Sequence, residues 1–270
     1  EIYQMTNGCI CCVADVRNDL VEILGKLMSG HEDKLDHIIV ETSGLADPTP
    51  VAATFFIDND VAKQVSLDAV VTLVDARHIG AHLDDPVLNA TDNQAVDQIV
   101  AADRIIVNKI DLVTDDELPA IEARVRKINE TADLVRSSYA KVDLDNILGI
   151  AGFIPPSIAN RPDFFEEHHH HHDPSLQSQS FVYERPFDQA RLAAWVKGLA
   201  DERGPDIFRI KGIIAIAGDR NRWVLQGVHT LMDFRADVPW GATQPSSKVV
   251  VIGRNLDRAV LGAGLEGCLA

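Results

Sequence analysis

Residues 104–111 read RIIVNKID, and they are the clearest indication of the architecture of this protein. The first four of these residues, Arg104 to Val107, contain a run of three consecutive apolar residues and are followed at once by polar ones, as in a buried strand. Leu67 to Val74 (LDAVVTLV) is a second such run, and Asn93 to Ala102 (NQAVDQIVAA), which lies between them, has a helical period. Apolar strands separated by amphipathic helices indicate a parallel sheet covered on both faces. In such sheets ligands bind at the carboxyl ends of the strands.

The alternation of strands and helices extends through the first half of the chain. Asp15 is placed to cap a helix that ends near residues 29–30, and Leu35 to Val40 is predicted as the next strand. A further helix is predicted at Glu117 to Ile128, and Leu134 to Val135 follows it as a short strand. We therefore predict an α/β domain over residues 1–150.

The segment Asn108-Lys109-Ile110-Asp111 stands directly after a predicted strand. An amide and a carboxylate at this spacing suit a guanine, because the amide can bond the carbonyl edge and the carboxylate can accept two N–H groups. The aliphatic stem of Lys109 can lie over the ring. Ser138, which comes after the next strand beside Ser137, is a candidate backbone contact to the base, although both serines are equally suited to cap a turn.

A second strand end carries residues 41–44, Glu-Thr-Ser-Gly. Glu41 is positioned to hold Mg²⁺ through water, and the amide of Gly44 is positioned to approach a terminal phosphate. A turn closed by a capping carboxylate is the structural alternative for this motif.

Three of the four cysteines, Cys9, Cys11 and Cys12, lie within four positions. Closely spaced cysteines in a reducing compartment are more often metal ligands or redox groups than disulfides. This spacing favours a soft or borderline metal such as zinc, copper(I) or cobalt. A set of small buried apolar residues is one alternative. Thiol redox work is a weaker alternative, because the adjacent Cys11 and Cys12 can pair only with strain.

A polar, proline-containing segment at residues 151–179 is predicted to be a linker. It carries five consecutive histidines flanked by acidic residues, namely His168, His169, His170, His171 and His172. Neutral imidazoles suit zinc, nickel or cobalt, so we predict metal collection or hand-over here. An inserted affinity tag and a solvated loop without function are the alternatives.

The pattern after residue 180 favours strands, which predicts a second, smaller α+β domain over residues 180–270 with an antiparallel sheet and helices on one face. Strands are predicted at Phe181 to Glu184, Phe208 to Ala217, Trp223 to Gly227 and Lys248 to Ile252, and helices at Asp188 to Ala200 and Leu256 to Leu265. His229 is read as a buried, hydrogen-bonded histidine.

The overall composition excludes some classes of function. The formal net charge is -16, which would repel a nucleic-acid backbone. No apolar window reaches the length of a membrane span, and no secretory segment opens the chain, so a cytoplasmic protein is predicted.

Three segments together resemble the consecutive signatures of the CobW-like metallochaperone GTPases. They are residues 7–12 (NGCICC), 41–48 (ETSGLADP) and 108–111 (NKID). Residues 184–187 (ERPF), 209–212 (RIKG), 226–229 (QGVH) and 252–257 (IGRNLD) resemble the carboxyl-terminal domain of that family. The resemblance covers nearly the whole chain.

The resemblance implies a P-loop NTPase-like parallel sheet and a GTPase that delivers a metal to a client protein. Cys9, Cys11 and Cys12 would be metal ligands, Glu41 and Gly44 would face Mg²⁺ and the γ-phosphate, and the residues 108, 109 and 111 would bind the base of GTP or GDP. Zn²⁺ is favoured, with Co²⁺ and Ni²⁺ as alternatives.

One departure from the family concerns the phosphate loop G-x-x-G-x-G-K-[ST], which residues 1–270 do not contain. Its amides, lysine and hydroxyl bind the phosphates and Mg²⁺, so the chain as given is expected to bind GTP poorly and to hydrolyse it barely. The rival hypothesis is a non-catalytic metal-storage or metal-sensing protein with a vestigial nucleotide site. The identity of the client, the role of Cys268 and the formation of a homo-oligomer stay open.

Overall fold

The computed structural model describes residues 14–28, 35–44, 46–49, 51–52, 55, 65–86, 93–150, 177–228 and 230–270. Its helices are α1 Ala14–Met28, α2 Ile79–Leu83, α3 Gln94–Ala101, α4 Glu117–Ile128, α5 Gln189–Arg203 and α6 Arg258–Glu266. Its strands are β1 Val71–Asp75, β2 Arg104–Asn108, β3 Asp133–Arg136, β4 Gln177–Tyr183, β5 Ile207–Ala215, β6 Asn221–Val228, β7 Leu231–Pro239 and β8 Ser247–Gly253.

The first sheet in the described part of the chain is parallel, with the strand order β1-β2-β3. Its register sets Asp75 beside Asn108 and Ile106 beside Val135. Ile105, Ile106 and Val107 are all buried. Ile105 and Val107 pack in one core with apolar residues of α3 and α4. The predicted parallel α/β sheet is therefore confirmed in these three strands.

The core of this unit shows why the two crossover helices form where they do. Ile99 of α3 and Val125 of α4 are buried against Val107 of β2, together with Val74 and Ile79. Asn93 begins α3 by accepting a hydrogen bond from the backbone N–H of Val96. The helix predicted at 93–102 is confirmed, and burial of its apolar face is what stabilises so short a helix.

The strand predicted at Leu35 to Val40 is wrong, because these described residues form neither a helix nor a strand. Strand structure requires a hydrogen-bonded neighbour, and the three strands of the parallel sheet do not include this segment. Ile38 and Val40 instead pack against Leu20 and Leu24 of α1. Ile39, which lies between them, is 77% exposed.

The second sheet is antiparallel, with the order β4-β8-β5-β6-β7. The predicted α+β architecture is confirmed, but the prediction missed β7. Along β7 Met232 and Phe234 pack on the core side, while Asp233 and Arg235 alternate with them. This period of two was a readable strand signal. β4 begins at Gln177, before the predicted Phe181, because pairing with β8 supplies hydrogen bonds to residues that are polar.

Both faces of the antiparallel sheet are covered. On one face α5 and α6 contribute Leu192, Val196, Leu261 and Leu265 to a core with β5 and β8. The other face packs against α3 and α4, which contribute Val96, Val100 and Ile128. The residues that they contact there are Phe208, Ile213, Ala215, Trp240, Val250 and Ile252. The sequence analysis predicted helices on one face only and did not predict that α3 and α4 cover the second face.

Within the described ranges, no helix has both the length and the apolar character that crossing a membrane would require.

Candidate nucleotide-binding site

The ends of the three parallel strands are tied to one another by backbone hydrogen bonds. The N–H of Ala76, just after β1, donates to the carbonyl of Asn108 at 2.9 Å, and the N–H of Ile110 donates to the carbonyl of Ser137 at 3.2 Å. Ser137 in turn donates its N–H to Val107 at 2.9 Å. The loops after β1, β2 and β3 therefore form one connected rim at the carboxyl edge of the sheet, where ligands of such sheets bind.

Asn108 is one of the buried residues of this rim, with 7% of its surface exposed. Its side-chain oxygen Oδ1 accepts a hydrogen bond from the backbone N–H of Ala140 at 2.9 Å. This bond fixes the amide plane and directs the Nδ2 donor away from the loop that follows β3. A fixed donor of this kind can recognise the acceptor edge of a purine.

Lys109 adopts a left-handed backbone conformation, with φ 61° and ψ 35°, and begins a 3₁₀ turn over Ile110–Leu112. A side chain other than glycine is uncommon in this region. Its Nζ donates to the carboxylate of Asp75 at 2.8 Å. The carboxylate of the neighbouring strand thus holds the lysine across the rim.

Asp75 is fixed by further hydrogen bonds. Its Oδ2 lies 3.0 Å from His78 Nδ1, and its Oδ1 accepts the backbone N–H of Arg77 at 2.9 Å. Burial acts to raise the pKa of Asp75, but the hydrogen bonds from Lys109, His78 and the backbone outweigh it and lower the pKa to about 2. The group is therefore ionised at neutral pH. The sequence analysis did not identify Asp75, although Asp75 ends β1 in the same way that Asn108 ends β2, and ligands bind at the carboxyl ends of such strands.

Asp111 and Ser138 also lie at this rim. Asp111 is exposed within the 3₁₀ turn, so its carboxylate is accessible to a ligand. Ser138 is half-buried, and its carbonyl accepts the N–H of Lys141 at 3.1 Å. The two residues between them, Tyr139 and Ala140, have positive φ values of 57° and 53°. This irregular backbone turns the loop over the end of β2.

The segment with Glu41 and Gly44 is exposed and ends in a turn. The N–H of Ala46 closes the turn by donating to the carbonyl of Ser43 at 3.0 Å. Gln98 of α3, which sequence reasoning missed, donates from Nε2 to the carbonyls of Gly44 at 3.0 Å and Ala46 at 2.8 Å. The spacing of 54 positions between Gln98 and Gly44 left no local sign of this contact.

Three buried charges join the two sheets. The carboxylate of Asp103, just before β2, accepts hydrogen bonds from Arg209 and, at 2.6 Å, from Lys211 of β5. The exposed fractions of these side chains are 0%, 2% and 4% respectively. Burial alone would raise the pKa of Asp103, but the charges of Arg209 and Lys211 outweigh it and lower that pKa. Asp103 also accepts the N–H of Val70 at 2.9 Å.

The predicted metal ligands Cys9, Cys11 and Cys12 lie outside the described residues, as does the histidine run at residues 168–172 and His229. Among the residues that are described, no group of three or more His, Cys, Asp or Glu side chains could hold a metal ion. Cys268 is buried, and its thiol donates to the carbonyl of Gly264 at 3.2 Å.

Two family models match the chain. The model described as "CobW/HypB/UreG, nucleotide-binding domain" matches residues 1–136, and the model described as "Cobalamin synthesis protein cobW C-terminal domain" matches residues 176–269. The boundary between these matches falls where the structure passes from the parallel to the antiparallel sheet.

Curated relatives align over nearly the whole chain. Zinc chaperone YjiA of Escherichia coli (strain K12) is 30% identical over 271 residues, which cover 99% of this chain and 82% of YjiA. Zinc chaperone CobW of Sinorhizobium sp is 32% identical over 98% of this chain and 80% of its own length. Zinc-regulated GTPase metalloprotein activator 1 of Dictyostelium discoideum is 32% identical over 86% of this chain and 54% of its own length.

A solved structure agrees with these alignments. The crystal structure of Zn(II)-bound YjiA GTPase from E. coli matches with a TM-score of 0.76 at 25% identity, covering 96% of this chain and 78% of that one. Fold and sequence together define a protein with a nucleotide-binding α/β domain and a separate antiparallel α+β domain. The chain belongs to the CobW family, as its sequence motifs predicted.

Proposed function

We propose that the protein is a GTP-dependent metallochaperone that binds zinc at Cys9, Cys11 and Cys12 and couples GTP hydrolysis to delivery of the metal to a client protein in the cytoplasm. Membership of the CobW family supports this proposal, and so do the names of its relatives, which are zinc chaperones and a zinc-regulated GTPase activator.

The observation that carries the nucleotide part is the geometry of Asn108. Because the N–H of Ala140 occupies its Oδ1, the amide presents Nδ2 as a donor at the carboxyl edge of the sheet. Exposed Asp111 supplies an acceptor on the same rim. A donor for the carbonyl edge and a carboxylate for two N–H groups together match guanine and do not match adenine, whose edges present the opposite pattern.

The phosphate part is assigned to Glu41 and Gly44. Gly44 does not have a positive φ, and a Cβ built on it would meet no atom within 4 Å. The fold itself therefore does not require glycine here, whereas close approach of a phosphate to the backbone would. Exposed Glu41 is the carboxylate that would hold Mg²⁺ through water, and the ion would neutralise charge on the phosphates.

Zinc is the proposed cargo. Three thiols supply the soft ligands that zinc prefers, and the imidazoles of residues 168–172 supply a second set for collection or hand-over of the ion. Cobalt and nickel bind the same donor types, so the metal has to be established by measurement.

The guanine assignment is tested with Asp111→Asn in the full-length protein. The asparagine side chain offers one donor and one acceptor in place of two acceptors, so it loses the pair of guanine N–H bonds but can pair with the second carbonyl of xanthine. We expect GDP affinity to fall at least about tenfold and XDP affinity to rise. Asp115→Asn, an exposed change four positions away, is the matched control. Equal loss of both nucleotides would contradict base recognition by Asp111.

The coupling is tested by competition titration with zinc and with cobalt, with and without GTP. We expect the double change Cys11→Ala and Cys12→Ala to lower zinc affinity at least about tenfold while GDP binding survives. A wild-type protein that binds zinc tightly but neither binds nor hydrolyses GTP would instead establish the metal-storage or metal-sensing alternative. Unchanged zinc affinity in the double variant would remove the cysteines from the mechanism.

A further inference from the structure

Gln98 joins the turn at Gly44 to helix α3. Its Nε2 carries two hydrogens and uses both, donating to the carbonyl of Gly44 at 3.0 Å and to that of Ala46 at 2.8 Å. The N–H of Ala46 also bonds to Ser43, so the turn is closed on itself. Two carbonyls held on one side give the turn a single orientation relative to α3.

The backbone of Gln98 is fixed in its own right. Its carbonyl accepts the hydroxyl of Thr72 in β1 at 2.7 Å. Asn129 donates to the carbonyl of the next residue, Ile99, at 2.8 Å and to that of Ala102, just after the helix, at 2.9 Å, which satisfies the carboxyl end of α3. The side-chain amide of Gln98 is thus presented from a rigid base.

The same short helix supports the antiparallel sheet. Val96 and Val100 of α3 pack against that sheet beside Phe208 and Ile213. At the end of the helix, the carbonyl of Ala101 accepts a hydrogen bond from Arg209 of β5. Gln98 lies one helical turn before Ala101, so the Gly44 turn and β5 are attached to one rigid element.

We propose that Gln98 is a positioning residue for the phosphate-facing turn, and that through α3 it links the orientation of this turn to the docking of the antiparallel sheet. This inference rests on the proposed function, in which Gly44 approaches a terminal phosphate. Rotation of the turn either breaks both hydrogen bonds of Gln98 or moves α3. Because packed interiors do not deform continuously, a movement of α3 is transmitted to the sheet that packs on it.

The first test compares Gln98→Leu and Gln98→Asn in the full-length protein. Leucine keeps the volume without the donors, and asparagine keeps an amide that is too short to reach both carbonyls. We expect kcat for GTP hydrolysis to fall about tenfold in each, the size expected for two lost hydrogen bonds, while GDP affinity stays within about twofold. Gln94→Leu, one turn earlier on α3, is the matched control and is expected to leave both quantities unchanged.

The second test reads the link to the antiparallel sheet. Hydrogen exchange of residues 207–215 is compared between the GDP complex and the complex with a non-hydrolysable GTP analogue. We expect a difference between the two complexes in the wild type and in Gln94→Leu, and its loss in both Gln98 variants. Exchange that is independent of the nucleotide in the wild type overturns the link to the sheet.

The two levels of the proposal fail in different ways. If the wild type binds no guanine nucleotide, the proposed function fails and this inference fails with it. If the wild type binds and hydrolyses GTP but the Gln98 variants match Gln94→Leu, only the positioning role is overturned. A parallel loss of GDP affinity and kcat in both variants assigns Gln98 to general support of the fold and also overturns the positioning role.

Discussion

Replacing Asp103 by alanine tests the contact between the two sheets. The change leaves Arg209 and Lys211 buried without their shared carboxylate, and it leaves the N–H of Val70 without its acceptor. Removing one partner of a buried ion pair costs about 3–5 kcal/mol, and a buried unsatisfied donor adds about 1–3 kcal/mol. We expect a loss of about 4–8 kcal/mol in the free energy of unfolding, against a total of about 5–15 kcal/mol for a typical protein.

The loss is measured by urea unfolding, followed by the fluorescence of the three tryptophans, Trp195, Trp223 and Trp240, and by circular dichroism. Asp103→Asn can keep an acceptor for Val70 and is expected to lose less than the alanine variant. Asp84→Asn is the exposed control: Asp84 pairs with Arg124, its side chain is 69% exposed, and the expected change is below about 1 kcal/mol. A loss below about 1 kcal/mol in Asp103→Ala would refute the reasoning, since it would mean that the buried cations are not held by this carboxylate.

The same cluster has a defined pH dependence. Because the pKa of Asp103 in the folded protein is lowered below its unfolded value of about 3.9, its contribution is fully present above about pH 4 and is lost as the pH falls through the folded pKa. The stability difference between the wild type and Asp103→Ala should therefore be constant from neutral pH to about pH 4 and shrink below it. A difference that shrinks between pH 8 and 6 would assign the effect to another group.

Asp75→Asn removes the charge that holds Lys109. We therefore expect guanine-nucleotide affinity to fall severalfold, equally for GDP and GTP, in a fluorescence titration. An effect on GTP alone would contradict a role at the base. Asn129→Ala leaves carbonyls at the end of α3 without their donor at a fully buried site. Thermal unfolding should then show a loss of about 2–4 kcal/mol in the free energy of unfolding. An unchanged midpoint would contradict the network. In Gly253→Ala the new Cβ would collide with the carbonyl oxygen of Asp206, which should destabilise the protein, whereas Gly198→Ala in α5 meets open space and should stabilise it by about 0.5–1 kcal/mol in the same assay.

Much of the rim could be predicted because it depends on local pattern and on one rule of topology. An apolar run that ends in Asn108 places that residue at the carboxyl edge of a parallel sheet, and the structure confirms the position. The same rule also applies to Asp75 at the end of β1, but the sequence analysis overlooked it. Leu35 to Val40 was mispredicted because apolar character shows that a segment is to be buried but not that it has a strand to pair with.

The contact between the sheets could not be read from the sequence. Asp103 and Arg209 are separated by 106 positions. Taken alone, Asp103 can be explained as the carboxylate of a turn, and Arg209 as a solvent-exposed residue of a strand. Their pairing depends on how the antiparallel sheet docks on α3, which is a property of the packed structure. Gln98 was missed for the same reason, because its partners are the backbone carbonyls of a distant turn, which have no side-chain signature.

The covered second face of the antiparallel sheet has a consequence for dissection of the chain. A fragment comprising residues 177–270 would expose to water the surface formed by Phe208, Ile213, Val250 and Trp240, which α3 and α4 now shield. Beside this surface, the cations of Arg209 and Lys211 would lose their anion. Contiguous apolar area of this kind promotes self-association. Such a fragment is therefore expected to aggregate when expressed alone and to be soluble only when co-expressed with the first half of the chain.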